Sequence, residues 1–476
     1  MYITFHGAAR QVTGSKHLIQ LKNGTNILLD CGLFQGVRDA DDLNGHFGFN
    51  PKKVDHLLLS HAHIDHCGLI PRLVAEGFNG HIVCTPSTMN LARILMADAA
   101  RIQESDAKEA GVEPLYTEDD AMAALRLFKI LEYKEQYNLT NDVKVLFTDA
   151  GHLLGSAAIH LSIIEDGKET RITYSGDVGR YGDILLKNPQ KFLQADYIIM
   201  ESTYGDSLHK DLKPIENALH DIIQHTCTIR HGKVIIPAFS VGRTQEILYA
   251  LNSLELQGRL PDVPYYVDSP LADQATQILK EHPEEFNRAV GETMKIDADP
   301  FSFKGLRFVA STAESVALNT DPRPCVIISA SGMAEAGRVR HHIRYNIENS
   351  RNTILIVGYC EPSSLGGQLL RGDRTVHIFD RTYNVDCEVR SIKSMSAHGD
   401  YEDLLEFLSC QDPAQVKKIF LVHGEYPVQQ HFADKLTQVG FRNIEIPYQH
   451  ERIALDETAN SNKGPRIVHD KANAGN

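Results

Sequence analysis

The first sixty residues alternate between short apolar runs and turns rich in glycine and asparagine. Runs such as KHLIQL and NILLD have the length and alternation of β-strands, and DHLLLS has the length of a buried strand. Residues 87–138 carry apolar positions mostly at helical spacing, and residues 143–200 return to strand-like runs. This order predicts a sheet-rich unit, a β-sandwich, with helices packed on it.

The pattern changes at about residue 206, where short and almost wholly apolar runs begin: KVIIPAF, PYYVDSP, PCVIISA and TILIVGY. Most are followed by a small-residue turn and a helical pattern, which is typical of a parallel sheet with crossover helices. Strand-like runs with histidines resume at about residue 381. We therefore expect one domain built from 1–205 and 381–460, an inserted domain at 206–380, and a disordered tail at 461–476.

Composition and charge exclude several classes of protein. Of the 476 residues, 42% are hydrophobic and 23% charged, as in an ordinary globular protein. No apolar run approaches the ~18 residues of a membrane span, and the amino terminus does not have the pattern of a signal peptide. Eight cysteines without a CxxC pair do not predict a disulfide framework, so we expect a cytoplasmic location. The net charge of −14 argues against a non-specific nucleic-acid coat.

Candidate chemistry begins in the segment HAHIDH, directly after the run DHLLLS. It holds four potential metal ligands within six residues: His61, His63, Asp65 and His66. Neutral imidazoles and carboxylates are the usual ligands of catalytic zinc. A polar surface loop is the plain alternative for a single histidine, but four such residues at a strand end favour a metal site.

Three further candidate ligands, His152, Asp177 and His423, each follow an apolar run. Taken singly, each has a plain structural explanation, such as a capping aspartate or a histidine at a sheet edge. With the HAHIDH segment they make seven ligands, a number that suits two metal ions sharing one carboxylate.

These motifs, in this order, resemble the metallo-β-lactamase superfamily. The resemblance implies an α/β fold of the αββα sandwich type. It implies that one zinc ion is held by His61, His63 and His152, that a second is held by Asp65, His66 and His423, and that Asp177 bridges them. Asp30, at the end of NILLD, would orient the ligand loop.

Later motifs narrow the resemblance to the β-CASP nucleases, which include the cleavage-factor and RNase J relatives. These are Glu201 in MESTYG, His398 in SMSAHGDY and His423 in LVHGE, with PAFSVGRTQE and SASGMAEAGR in the inserted range. The resemblance implies an inserted parallel-sheet α/β domain and a ribonuclease with two zinc ions per chain. The implied catalytic residues are His398, Glu201 and Asp65, with His398 protonating the leaving oxygen and Glu201 holding it.

The inserted range also has the residues of a phosphate-binding surface. From Asp321 to Arg381 there are eight arginines, no lysine and six acids, and arginine suits bidentate phosphate recognition. Turns where a strand leads into a helix would offer backbone N–H groups to phosphate. The predicted contacts are Arg243, Thr244, Ser331, Gly332, Arg340 and Arg344. The alternative, that these glycines only close turns and these arginines pair with acids, stays open.

Helical spacing refines this prediction. We expect a helix to begin at the Ser331–Gly332 turn, with Arg340 and Arg344 on one face and Arg338 off it.

Together these features predict a hydrolase that cuts RNA in a cleft between the two domains. Two alternatives stay open: a metallo-hydrolase of small esters or lactams at the same site, and a non-catalytic RNA-processing scaffold. RNA is the expected partner, a membrane and a nucleotide cofactor are not expected, and a homodimer is compatible with the sequence. The sequence does not separate an endonuclease from a 5′→3′ exonuclease.

Overall fold

The structure is a computed structural model that describes residues 1–37, 39–209, 214–358, 360–392 and 395–455. The tail at 461–476, predicted to be disordered, lies outside the described residues. The strands are β1 (Tyr2–Phe5), β2 (His17–Gln20), β3 (Asn26–Leu29), β4 (His56–Leu58), β5 (His81–Cys84), β6 (Phe128–Ile130), β7 (Tyr137–Asn138), β8 (Val143–Asp149), β9 (Ala157–Glu165), β10 (Lys168–Tyr174), β11 (Tyr197–Met200), β12 (Val234–Pro237), β13 (Tyr265–Asp268), β14 (Leu306–Phe308), β15 (Val326–Ser329), β16 (Thr353–Ile356), β17 (Thr375–Ile378), β18 (Arg381–Asn384), β19 (Glu388–Ser391), β20 (Lys418–Leu421), β21 (Ile444–Glu445) and β22 (Glu451–Ala454).

The α-helices are interspersed with these strands along the chain. They are α1 (Ala40–Gly45), α2 (Ile64–Cys67), α3 (Ile70–Ala75), α4 (Pro86–Ala110), α5 (Glu118–Leu125), α6 (Ile215–Ile223), α7 (Arg243–Leu256), α8 (Pro270–Glu281), α9 (Arg288–Thr293), α10 (Thr312–Thr320), α11 (Arg338–Asn346), α12 (Leu365–Arg371), α13 (Tyr401–Leu408) and α14 (Tyr426–Gln438). In the described ranges, no helix combines the length and the apolar character needed to cross a bilayer.

Two mixed sheets form the sandwich. The first has the order β22-β1-β2-β3-β4-β5-β6, and the second has the order β21-β20-β11-β10-β9-β8-β7. Within the first sheet β3 to β6 run parallel, and within the second β10, β11, β20 and β21 run parallel. The carboxyl ends of these parallel strands therefore meet at one edge of each sheet, where α/β proteins place their sites.

The alternation of side chains along β3 shows how the layers form. Ile27 and Leu29 face the second sheet and share a buried core with Phe147 and Ile199. Leu28 points to the opposite face and packs in the core that includes helix α4. The outer face of the second sheet is covered in the same way by α13 and α14. The layers are therefore helix, sheet, sheet and helix, and the predicted α/β fold is confirmed.

The third sheet is wholly parallel, with the order β14-β13-β15-β12-β16-β19. Its four central strands are buried on both faces, with α7 on one side and α11 and α12 on the other. Because β19 pairs with β16, residues 388–391 belong to this sheet. The division at 205 and 380 stays a proposal, and this pairing argues for moving its second boundary past 391.

Two local expectations need correction. Residues 330–337 form a loop, and α11 begins only at Arg338, so no helix starts at the Ser331–Gly332 turn. The loop folds back on itself because Val339 N–H bonds to the Ala330 carbonyl, and Ala334 has φ +62°. The helical pattern of 87–138 also ends early, since β6 (128–130) adds to the first sheet beside β5.

Candidate metal centre

The predicted ligands lie together at the edge where the parallel strands end. Each comes from a short connection that follows a strand: HAHIDH after β4, His152 after β8, Asp177 after β10 and His423 after β20. Because these connections come from both sheets, the folding of the sandwich brings together residues that are far apart in the sequence.

Four donor atoms form a first group. His63 Nδ1 lies 3.1 Å from His61 Nε2 and 3.2 Å from His152 Nε2. Asp177 Oδ2 lies 3.4 Å from His61 Nε2 and 3.5 Å from His152 Nε2. Zinc bonds of about 2.0–2.1 Å in a tetrahedron place ligand atoms roughly 3.3–3.4 Å apart. The four donors therefore have the spacing that a tetrahedral zinc ion requires.

A second group shares the same aspartate. Its Oδ1 lies 3.3 Å from His66 Nε2, and Asp65 Oδ2 lies 3.2 Å from His423 Nε2 and 3.8 Å from His66 Nε2. Asp177 Oδ1 is buried and makes no hydrogen bond within the described part of the chain. The His66 and His423 nitrogens lie 3.3 and 3.6 Å from it without completing a hydrogen bond, and a bound cation would satisfy this buried oxygen. The donor set therefore fits two cations that share Asp177.

Burial keeps the first group's imidazoles neutral, which is the form that binds metals. It lowers the pKa of His63 to about 3 and lowers the pKa of His61 and His152 as well. For Asp177, burial opposes ionisation, but the surrounding imidazoles His423, His66 and His61 hold its pKa well below the usual range. Burial lowers the pKa of His66 in the second group, but the charges of Asp177 and Asp65 outweigh it and raise that pKa well above the usual value, so metal binding at this ring would release a proton.

Asp30 makes hydrogen bonds to the loop that carries HAHIDH. Its carboxylate accepts hydrogen bonds from Ser60 N (2.7 Å), Ser60 Oγ (2.6 Å) and the Tyr174 hydroxyl (2.7 Å). His66 Nδ1 lies 2.7 Å from the same carboxylate. This contact fixes the ring so that His66 Nε2 points toward the shared aspartate.

His398 and Glu201 form a pair beside the ligands. His398 Nδ1 lies 3.1 and 3.2 Å from the two Glu201 oxygens, and Val178 N–H donates to Oε1 at 2.6 Å. Burial lowers the pKa of His398, but the Glu201 charge and hydrogen bond outweigh it and raise that pKa to about 9. The donor atoms of this pair also lie close to those of Asp177 and His423. Distance alone therefore leaves two roles for His398, a proton donor and a ligand.

Thr203 was missed by the sequence reasoning. Its hydroxyl lies 3.0 Å from His423 Nδ1, so it orients that ring as Asp30 orients His66. The available signal was its position two residues after Glu201 in MESTYG.

Comparison with known proteins agrees with this geometry. The profile of the metallo-beta-lactamase superfamily matches residues 13–219, that of the Beta-Casp domain 244–369, and that of the Zn-dependent metallo-hydrolase RNA specificity domain 382–447. A ribonuclease from Thermus thermophilus is 35% identical over 426 residues, which are 89% of this chain and 93% of that protein. The chain belongs to the metallo-beta-lactamase superfamily.

Two archaeal relatives extend the comparison. An RNase J-like protein from Methanocaldococcus jannaschii is 31% identical, over 94% of this chain and 96% of that protein. The transcription termination factor FttA from the same organism is 30% identical, over 95% of this chain and 71% of that protein. The predicted family, the hydrolytic nucleases of the superfamily with a Beta-Casp domain, is confirmed.

The predicted phosphate contacts at the start of α7 and at Gly332 already have partners within the chain. Helix α7 does begin at Arg243 as expected, but this side chain is buried and its guanidinium pairs with Glu246. The Thr244 hydroxyl donates to the Phe239 carbonyl (2.7 Å), and the Phe239 ring packs against Gly332. These turns therefore pack against one another, and their phosphate-binding role stays a prediction.

The two helical arginines share one face, as their spacing predicts. The guanidinium of Arg340 lies 4.4 Å from the centre of the Phe379 ring, and that of Arg344 lies 5.6 Å from it. Phe379 lies in the turn between β17 and β18. In the described residues, none of their contacts reaches the metal ligands.

A second cluster of histidine and carboxylate lies at the end of β13 in the Beta-Casp domain. Asp268 Oδ1 bonds to Arg338 Nη1 at 2.6 Å, and Asp268 Oδ2 lies 2.7 Å from His342 Nε2 and accepts from Ser315 Oγ. His342 Nδ1 in turn lies 2.8 Å from Asn319 Oδ1. We call these residues the Asp268 cluster; their polar atoms satisfy one another.

Proposed function

We propose that the protein is a zinc-dependent ribonuclease, with two zinc ions per chain. The observation that carries the proposal is the shared aspartate, because Asp177 Oδ2 faces one group of donors and Oδ1 faces the other. The first ion would be held by His61, His63, His152 and Asp177, and the second by Asp65, His66, His423 and Asp177. Zinc bound there would lower the pKa of water toward about 7 and neutralise phosphate charge.

The chain's own residues prepare this chemistry before any ion arrives. Asp30 and Thr203 fix the rings of His66 and His423, so little ordering is left for the moment of binding. Burial holds the first-group imidazoles neutral and removes competing water from the donors. A preorganised site of this kind stabilises developing charge more strongly than water does.

His398 is proposed as the general acid. Glu201 occupies its Nδ1, which leaves Nε2 as the ring nitrogen that can deliver a proton to the leaving oxygen. The charge of Glu201 favours the protonated ring, which is the form an acid needs. Asp65, proposed as a ligand, also adds negative charge near this ring.

RNA is the proposed substrate, bound between the metal centre and the Beta-Casp domain. The Leu153 side chain, next to His152, lies against Gly242 at the start of α7. The candidate ligand His152 and the start of α7 in the Beta-Casp domain are therefore neighbours. The match to an RNA specificity domain and the ribonuclease relatives support this substrate.

The alternatives are weaker on specific grounds. A small ester or lactam would need neither the His398–Glu201 pair nor the facing Beta-Casp domain. A non-catalytic scaffold would not need a complete set of ligands with their supporting hydrogen bonds. A cytoplasmic location is part of the proposal, and the eight free cysteines support a reducing compartment.

The test is a direct assay of cleavage. We expect purified, zinc-replete protein to cut labelled RNA and to leave a chromogenic lactam intact. A circular RNA beside a linear one then separates the two modes, since only an endonuclease opens a circle. Lactam hydrolysis without RNA cleavage would reject the proposed substrate.

A further inference from the structure

A cavity of about 800 Å³ lies on the outer face of the first sheet, at its β22–β1 end. Its floor comes from side chains that point away from the sandwich, because alternate residues of a strand face opposite sides. On β1 these are Tyr2 and Thr4, since Ile3 and Phe5 face the inner core. Segment 48–54 forms the other wall. The cavity is separate from the metal centre.

The charge of this cavity differs from that of the whole chain. None of the described residues that line it is an aspartate or glutamate, whereas the chain carries −14. Lys53 and Arg452 are among its lining residues, and neither has an ion-pair partner within the described ranges. The lining therefore offers uncompensated positive charge, which attracts a polyanion.

A row of aromatic and cationic contacts leads from this cavity toward the metal centre. The Arg452 guanidinium lies 4.0 Å from the centre of the Tyr2 ring. Further along, His6 Nδ1 lies 2.9 Å from His450 Nδ1. At the end of the row, the Arg10 guanidinium lies 3.3 Å from the centre of the Tyr448 ring and 4.3 Å from that of Tyr426. We call this row the aromatic strip: Tyr2, His6, Arg10, Tyr426, Tyr448, His450 and Arg452.

The strip ends beside a metal ligand. The His423 backbone N–H donates to the Ala8 carbonyl at 2.7 Å, and Gly424 N–H donates to the Gln11 carbonyl at 3.2 Å. The loop that carries Arg10 is therefore bonded to the loop that carries His423. Tyr426 follows His423 by three residues. A strand of nucleic acid that leaves the metal centre on this side meets Arg10 first.

The tyrosine rings of the aromatic strip are accessible to solvent. Tyr2, Tyr426 and Tyr448 are 42%, 37% and 55% exposed, which is high for large aromatic side chains. In the described part of the chain Arg10 has no acidic partner: its Nη2 donates to the Ile446 carbonyl at 3.0 Å, and its Nε is buried without a hydrogen-bond partner. Exposed rings beside unpaired cations are the two parts of a single-strand binding groove, where bases stack and phosphates pair.

We propose that the aromatic strip and the cavity bind single-stranded RNA that extends beyond the metal centre. This rests on the proposed ribonuclease function and adds a second contact surface to it, outside the Beta-Casp domain. Unpaired RNA is favoured over duplex because stacking on tyrosine requires bases that are free of a helix. The strip holds RNA while the metal centre cuts it.

The test compares Tyr448→Ala, Tyr448→Phe and Arg452→Ala in the full chain. Affinity for a labelled single-stranded RNA is measured by fluorescence anisotropy in a His398→Ala background, which slows cleavage. Tyr448→Ala is expected to weaken binding by about 5- to 100-fold through lost stacking, and Tyr448→Phe to restore it. Arg452→Ala is expected to reduce the slope of log affinity against log salt by about 0.7.

The matched control is Tyr137→Ala, because Lys129 Nζ lies 4.3 Å from the centre of the Tyr137 ring at the opposite edge of the sheets. It removes a similar cation–aromatic pair, and binding is expected to stay unchanged. Wild-type affinity and salt slope in Tyr448→Ala and Arg452→Ala would overturn the proposal.

The outcomes also separate this proposal from the function it rests on. If the wild-type chain cuts RNA but the strip variants bind as well as wild type, only the strip is rejected. If the wild-type chain neither binds nor cuts RNA, both proposals fail. A change in sedimentation without a change in RNA affinity would assign the surface to a second copy of the chain and would overturn the RNA proposal.

Discussion

The metal centre and the Asp268 cluster contain the same residue types, histidine and aspartate, but differ in whether the carboxylate is fully hydrogen-bonded. In each, an aspartate at the carboxyl end of a parallel strand lies beside a histidine. In the Asp268 cluster, Arg338, Ser315 and His342 satisfy the carboxylate. In the metal centre, Asp177 Oδ1 is buried and makes no hydrogen bond within the described residues.

The difference separates a structural anchor from a binding site. A buried polar cluster that satisfies itself stabilises the fold and offers nothing to a ligand. A buried cluster of acceptors with an unsatisfied oxygen is costly until a cation arrives. The comparison therefore predicts that equivalent substitutions in the two regions have different effects.

The largest effect is expected for Asp177→Asn. Loss of the shared charge removes a ligand from both groups, so we expect zinc affinity to fall by at least about 100-fold and RNA cleavage to be lost. Elemental analysis and single-turnover cleavage on the folded variant check this. Full zinc content with wild-type cleavage would show that Asp177 does not bridge.

The next effect is expected for His398→Ala. As a proton donor outside the ligand groups, its loss is expected to slow cleavage by about 10²–10⁴-fold while both zinc ions stay bound. Glu201→Gln is expected to show a milder form of the same defect, because it only orients and charges the ring. Loss of one zinc ion from His398→Ala would make this residue a ligand instead.

A third effect is expected for Asp268→Asn, the matched change in the satisfied cluster. Removing the charge leaves Arg338 without its buried partner, so we expect the free energy of unfolding to fall by about 3–5 kcal/mol. Zinc content and the cleavage rate of the folded variant are expected to match wild type. Denaturant unfolding measures the free energy of unfolding, and the same zinc assay measures zinc content. A drop in zinc content would contradict the distinction between the two regions.

The smallest effect is expected for Arg340→Ala. If this half-buried arginine contacts RNA phosphate, its replacement lowers the slope of log affinity against log salt by about 0.7 and lowers affinity only severalfold. Arg323→Ala is the control, because Arg323 already pairs with Asp321 in the same domain. Identical binding curves for Arg340→Ala and the control would remove Arg340 from the RNA surface.

Sequence reasoning could single out the candidate ligands because their signal is local. HAHIDH places four donors in six residues, and the fold has to bring only three more to the same sheet edge. The layers of the sandwich follow from strand alternation and from apolar runs, which are also local. The meeting of these side chains at one sheet edge and the layer order are therefore predictable from the amino-acid sequence alone.

The features that the sequence does not predict depend on contacts between distant segments. Asp268 follows an apolar run just as Asp177 does, and only its partners, up to 74 positions away, make it an anchor. Segment SASGMAEAGR has helix-forming residues, yet contacts with Ala330 hold it as a loop. In the aromatic strip Arg10 contacts Tyr448, and no local sequence pattern predicts this contact.

Zinc titration into chelator-treated protein, followed by cleavage of labelled RNA, tests the central claim most directly. We predict no cleavage without zinc and a rise in activity that ends at two equivalents per chain, since the seven candidate ligands form two groups that share Asp177. Cleavage at the full rate by protein that holds no metal would contradict the account.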